Sequence, residues 1–260
     1  MEPMADSTPE ELVHYDVADQ VATITLDSPH NRNALSRQLV TELFERLERA
    51  DQDDDALVVV LKSSGRVFCS GADLSEAATT PMEEGARAIV SLQRAIVAHS
   101  KPVVTVVAGA ARAGGIGIVA ASDIVVTADD ATFALTEVKL GLAPAVISLT
   151  VLPRLTQRAA ALTALGGEVF TGSEAVTMGL ATKAVRADQL DAAVAELCGQ
   201  LVTGAAQGLR ETKKLLAADL LERIDTKGEE LVALSASLFG SDEAREAMTA
   251  FLNRKAAAKG

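Results

Sequence analysis

The sequence has no tryptophan, one tyrosine (Tyr15) and only 3% aromatic residues. Its core must therefore be aliphatic, and a surface that stacks nucleic-acid bases on rings is excluded. Basic residues are outnumbered: 24 Lys plus Arg stand against 36 Asp plus Glu, a formal charge of −12. Such a field repels phosphate backbones and anionic membranes, although a local basic spot can still hold one phosphorylated small molecule. Two cysteines, Cys69 and Cys198, cannot form a disulfide framework for 260 residues. His14, His30 and His99 lack metal-ligand spacing and no Cys/His cluster exists, so no metal is expected. The longest apolar runs, such as 103–111, fall far short of the ~20 residues that span a bilayer. The opening MEPMADSTPEEL has no basic region leading into an apolar stretch. These absences predict a soluble, cytoplasmic protein that associates with neither nucleic acid nor membrane.

What is present is a chain that can bury a core, with 48% hydrophobic and 23% charged residues. The first ten residues read as a loose terminus. Branched residues alternate with threonine over 21–26 (VATITL), which predicts a strand. A turn follows at 27–33 (DSPHNRN). Ser36 is then placed as the N-cap of a helix over 37–50, where Leu39, Val40, Leu43, Leu47 and Ala50 recur at helical spacing. The acidic run 51–55 reads as a solvated turn. Continuous apolar runs at 56–61, 102–107 and 123–127 are of the buried-strand type, and an amphipathic helix is expected near 84–99. After about residue 140 the pattern becomes helical and alanine-rich. Candidate helices fall at 146–153, 156–165, 173–178, 187–203, 205–221, 227–238 and 241–254, with one strand candidate at 181–185. The expected class is α/β, with an α/β core over 11–200 and a helical C-terminal region over 201–260.

Two glycine-rich segments each follow a buried strand: SSGRVFCSGADL at 63–74 and AGAARAGGIGIV at 108–119. Glycine there permits a sharp turn or close approach to a ligand, and equally a simple tight turn. Gly115, Gly117 and Ala120 satisfy the dinucleotide pattern G-x-G-x-x-A. The acid that should lie about 20 residues on is instead Asp129, 14 positions after Gly115 (129 − 115). The intervening helix can make only about two turns. No Lys-Ser/Thr follows for a phosphate loop, and no G-x-S-x-G marks a serine nucleophile. Taken together, the two segments suit another chemistry. Two strand-to-helix turns can aim backbone N–H groups at a carbonyl oxygen that gains negative charge; Ala72 and Gly114 are suitable positions, although spacing alone does not select them.

The stretches TLDSPHNRNALS, GRVFCSGADL, VAGAARAGG, ASDIVVTADDATFALTEVKLGLAP and AFLNRKA, in this order and spacing, resemble the crotonase family, the enoyl-CoA hydratase/isomerase superfamily. The resemblance covers most of the chain. It implies a ββα-superhelix (spiral) core with a helical C-terminal trimerisation region, trimers that often pair into hexamers, and an acyl-CoA thioester as ligand. Coenzyme A would arrive as part of the substrate, with no separate cofactor. By the same resemblance, Ala72 and Gly114 donate the two oxyanion-hole amides. Arg32, Ala34, Ala72, Asp73 and Leu74 lie along the CoA, and Arg254 falls where a cation often meets a CoA phosphate. Hydratases of the family carry two glutamates. Glu137 matches the second, and the first is replaced by Gly117. The glycine-rich turn that usually follows Glu137 is also replaced, by APAVIS at 143–148; together with Gly117 this resembles branched or carboxylated enoyl-CoA hydratases. Glu137, flanked by Leu135, Val138 and Leu140, is expected to be a buried acid with a raised pKa. Asp73 and Asp123 are expected to make structural hydrogen bonds, and Lys139 to face solvent or an ion pair. The implied function is an enoyl-CoA hydratase of fatty or branched acyl-CoA metabolism with one glutamate. An enoyl-CoA isomerase and a non-catalytic acyl-CoA or lipid-binding homologue are the alternatives.

Overall fold

The structure is a computed structural model that describes residues 10–73, 76 and 81–257, with the side chains of 251–257 left aside. Leu74 and the side chain of Arg254 thus lie outside the described residues. An antiparallel hairpin, β1 (Val13–Ala18) and β2 (Val21–Leu26), opens the chain. Helix α1 (Arg37–Gln52) follows, with the Ser36 hydroxyl accepting from the Leu39 amide as the N-cap spacing predicts. The chain then repeats one unit. A long strand is followed by a short strand and, in the first two units, by a helix: β3 (Val58–Ser63), β4 (Val67–Cys69), α2 (Met82–Ala98); β5 (Val103–Val107), β6 (Ala110–Arg112), α3 (Gly114–Ala121); β7 (Ile124–Ala128), β8 (Thr132–Ala134). Long strands join one sheet in the order β1-β2-β3-β5-β7-β10, and short ones join a second in the order β4-β6-β8-β9. Successive units pair in parallel in both sheets, which is what makes the core a spiral.

The remaining elements are α4 (Ser148–Arg154), α5 (Gln157–Gly166), β9 (Phe170–Thr171), α6 (Gly172–Met178), β10 (Lys183–Val185), α7 (Leu190–Leu201), α8 (Ala206–Phe239) and α9 (Asp242–Ala257). The continuous apolar runs of β3, β5 and β7 follow from burial on both faces. Val59, Leu61, Val103 and Val107 pack into the main core with α1 and α2. Val58, Val60, Val104 and Val106 pack on the other face against Leu190, Ala193 and Cys198 of α7. Among the described residues no helix is long and apolar enough to cross a membrane.

Three expectations are corrected. The separate helices at 205–221 and 227–238 are one helix, α8. The polar stretch between them suggests a turn, but Thr226 bonds back to the Glu222 carbonyl (2.7 Å) and Asp225 pairs with Arg94 of α2 (2.7 Å), so the helix continues. The two glycine-rich segments contain strands β4 and β6, three residues each and too short to show a period. The acidic run at 51–55 is more than a solvated turn: Asp51 accepts from the Ser100 amide (2.9 Å) and Asp53 from the Tyr15 hydroxyl (2.8 Å). Strand β1, whose polar residues hide its alternation, is missed by the sequence reading.

Helix α8 is anchored by Lys213, which is 4% exposed. Its ammonium donates to the Ile96 and Lys101 carbonyls (3.1 and 3.0 Å) and pairs with Asp123 (2.8 Å), so all three donors are satisfied. Asp123 also accepts from the Val103 amide (2.7 Å), the structural role expected of it. Burial pushes the Lys213 pKa down while Asp123 opposes the shift. Removing one partner leaves the other a buried unpaired charge. Lys213→Ala is expected to lower the unfolding free energy by about 3–5 kcal/mol, read from urea denaturation; a loss below about 1 kcal/mol would show that the pair does not anchor α8.

Candidate active site

The second sheet sets the geometry. Strands β4 and β6 lie side by side, so the turns that follow them emerge next to each other. After β4, Gly71 turns with φ +98°, a conformation that side chains other than glycine rarely adopt. A methyl group on Gly71 would lie 2.8 Å from the Ala113 Cβ and 3.7 Å from the Gly114 nitrogen, so only glycine allows the two turns to approach this closely. Ala72 then pairs with Leu35 in an isolated parallel bridge. In that bridge the Leu35 amide donates to the Gly71 carbonyl (2.8 Å), and the Ala72 N–H is not one of its donors.

After β6, Ala113 adopts φ 45° and ψ −120°, a strained conformation that costs on the order of 1–3 kcal/mol. It redirects the chain into α3, whose first residue is Gly114. The Gly114 N–H is therefore one of the amides that a helix start leaves unbonded, with the helix dipole behind it. All eight residues of α3 are buried.

Glu137 begins a short 3-10 turn, Glu137–Leu140, closed by Gly141 at φ 71°. Its Oε2 is buried and, among the described residues, has no hydrogen-bond partner. Burial raises its pKa above the ordinary 4.5. Ala72, Gly114 and Glu137 all line one cavity of about 140 Å³. The rest of its wall is mainly aliphatic, from Leu35, Ala86, Ile89, Val146 and Ile147. Two residues of α8, Ser235 and Phe239, complete it.

Asp73 also lines the cavity and accepts from Asn31 Nδ2 (3.1 Å), the structural hydrogen bond expected of it. Arg32 is exposed, and its carbonyl accepts from the Ser70 amide (3.1 Å), so it borders the first turn through its backbone. Ala34 is buried, and it is Leu35 beside it that reaches the cavity wall. Lys139 pairs with Glu168 at the surface (3.3 Å), as expected. Gly117 lies behind the cavity wall. A methyl group there would meet Ile147 Cγ2 at 2.7 Å and Gln93 Oε1 at 3.3 Å. Gln93 is fully buried: its amide donates to the Val146 carbonyl (3.1 Å), and Thr150 Oγ1 donates to its Oε1 (2.6 Å). The 143–148 segment thus fills the space beside Gly117, and no carboxylate stands there among the described residues.

A model of the "Enoyl-CoA hydratase/isomerase" family matches residues 16–258. The chain belongs to this family. It is 46% identical to an enoyl-CoA hydratase of known structure from Mycobacterium avium, with a TM-score of 0.88 over 94% of this chain and 96% of that one. It is 32% identical over 255 residues to a "Probable enoyl-CoA hydratase" of Rhodobacter capsulatus, covering 94% of this chain and 95% of the relative. A peroxisomal Δ(3,5)-Δ(2,4)-dienoyl-CoA isomerase of Arabidopsis thaliana is 27% identical over 94% of both chains. The solved M. avium structure shares with this chain the mixed α/β fold with parallel sheets and a C-terminal helical region.

Sequence reasoning singles out none of the cavity residues Leu35, Ala86, Ile89, Ser235 and Phe239. The last two are spaced i, i+4 on one face of α8, but nothing local to them signals a site. Gly117→Ala is expected to lower stability by about 1–3 kcal/mol through overpacking, read by chemical denaturation. An unchanged midpoint would mean that Ile147 moves aside freely.

Proposed function

We propose that the chain is an acyl-CoA enzyme that stabilises a thioester enolate, with the Ala72 and Gly114 amides as oxyanion donors and Glu137 as the single acid/base. The observation that carries this reading is that Ala72, Gly114 and Glu137 line the same cavity, and that Glu137 Oε2 is buried with no hydrogen-bond partner among the described residues. The thioester oxygen accepts two backbone hydrogen bonds as it gains charge, each worth roughly 3–4 kcal/mol in a water-poor site. In hydration of a 2-enoyl-CoA, Glu137 takes a proton from the water that adds at C3 and returns a proton to C2. Coenzyme A is part of the substrate, and the reaction needs no further cofactor.

Double-bond isomerisation is the second reading, favoured by the Ile147 packing beside Gly117. There Glu137 removes a C2 proton from a 3-enoyl-CoA, giving a dienolate held by the two amides, and returns the proton at C4. One carboxylate suffices, and a dry wall opposes competing water. Arg32, Ala34, Asp73, Leu74 and Arg254 remain proposed CoA contacts on the family resemblance.

Both reactions use Glu137 as a base in its first step, so the ionised form must be present. With its pKa raised by burial, kcat/KM should rise with pH through a limb above 4.5. Glu137→Gln should remove that limb and lower kcat by about 10²–10⁴-fold. Crotonyl-CoA and a 3-enoyl-CoA, assayed side by side, separate the two reactions. Thermal stabilisation by acyl-CoA with no turnover, or with activity indifferent to Glu137→Gln, would instead favour a non-catalytic acyl-CoA-binding homologue.

We also propose self-association as a homotrimer or hexamer. Leu162, Leu165 and Val169 around α5, and Leu215 and Leu216 on α8, are large apolar side chains left 60–82% exposed in the single chain. Light scattering on the eluting species should give three or six chain masses; a stable monomer would contradict this.

A further inference from the structure

The cavity walls also limit what the acyl group can be. Four of the cavity's lining residues, Ala86 of α2, Val146, Ile147 and Ser235 of α8, are all under 9% exposed. Phe239, one turn after Ser235, is half-buried and lines the same cavity. The free volume is about 140 Å³, close to the ~150 Å³ that holds a benzene-sized molecule. Three carboxylates, Asp73, Glu76 and Glu137, line this cavity, and among the described residues no Lys, Arg or His does. A second carboxylate on the acyl chain would be buried unpaired among like charges, which is costly.

Resting on the thioester reading above, we propose that Ser235 and Phe239 are specificity-determining residues that restrict the site to a neutral acyl group of about six carbons or fewer. Helix α8 thus supplies the chain-length limit, although every group assigned to the chemistry lies before residue 140. The same charge pattern disfavours the carboxylated enoyl-CoAs to which the resemblance at Gly117 and 143–148 points.

The test is a chain-length series. Enoyl-CoAs of four, six, eight and ten carbons, plus glutaconyl-CoA, are assayed on the wild type, Phe239→Ala and Ser235→Leu. In the wild type kcat/KM should fall about tenfold or more from six to ten carbons, with glutaconyl-CoA at least about tenfold below crotonyl-CoA. Phe239→Ala should raise the ten-to-four-carbon ratio about tenfold, and Ser235→Leu should lower the six-to-four-carbon ratio by a similar factor. Opposite shifts in two ratios are not what a general loss of folding produces. A flat wild-type profile, efficient glutaconyl-CoA turnover, or two variants that move their ratios the same way would overturn the inference. If no thioester is turned over, calorimetric binding of butanoyl-, hexanoyl- and decanoyl-CoA decides. Binding that ignores chain length removes this inference alone, whereas no binding at all removes the thioester reading itself.

Discussion

The approach of two backbone turns is the constraint on which the site depends. Gly71 and Ala113 come so near that one added methyl group would lie 2.8 Å from its neighbour. Strands β4 and β6 pair in parallel for only a few residues, yet that pairing carries Ala72 and Gly114 to the same place. The left-handed Gly71 and the strained Ala113 are the local conformations that make the approach possible. Strain of this kind persists only where surrounding packing over-determines it, and here α3 is buried along its whole length.

A second dependence runs from the C-terminal half back to the cavity. Lys213 ties the start of α8 to the end of α2 and to Asp123 ahead of β7. Arg94 and Arg87 of α2 pair with Asp225 and Glu229 farther along α8. These exposed pairs contribute little individually, but they share one direction with the buried anchor. Together they hold α8 along α2 so that Ser235 and Phe239 reach the cavity formed by the spiral core. The helical region thereby helps build the site as well as extending the fold.

The position of Gly117 shows how a missing side chain is accommodated. Apolar bulk of the 143–148 segment occupies the space, with Ile147 against Gly117 and Gln93 bonded to the Val146 carbonyl. Among the described residues, Glu137 is the one carboxylate on the cavity with an oxygen buried without a partner. Its surroundings raise its pKa by desolvation.

Local patterns in the sequence determined much of this protein. The doubly buried strands β3, β5 and β7 read as unbroken apolar runs, α1 and its Ser36 cap read from period and spacing, and the two glycine-rich turns stood out by composition. Motif order carried the family, and with it the candidate positions Ala72, Gly114 and Glu137. What only the tertiary structure decided involves partners far apart in the chain. Three-residue strands carry no period, so β4 and β6 became visible only once paired. Thr226 and Asp225 looked like a break because the carbonyl and the arginine that satisfy them belong to a turn of helix and to another helix. Ile147 filling the space beside Gly117, and Ser235 and Phe239 closing the cavity, depend on long-range packing, whose energy resides in contacts that no sequence window contains.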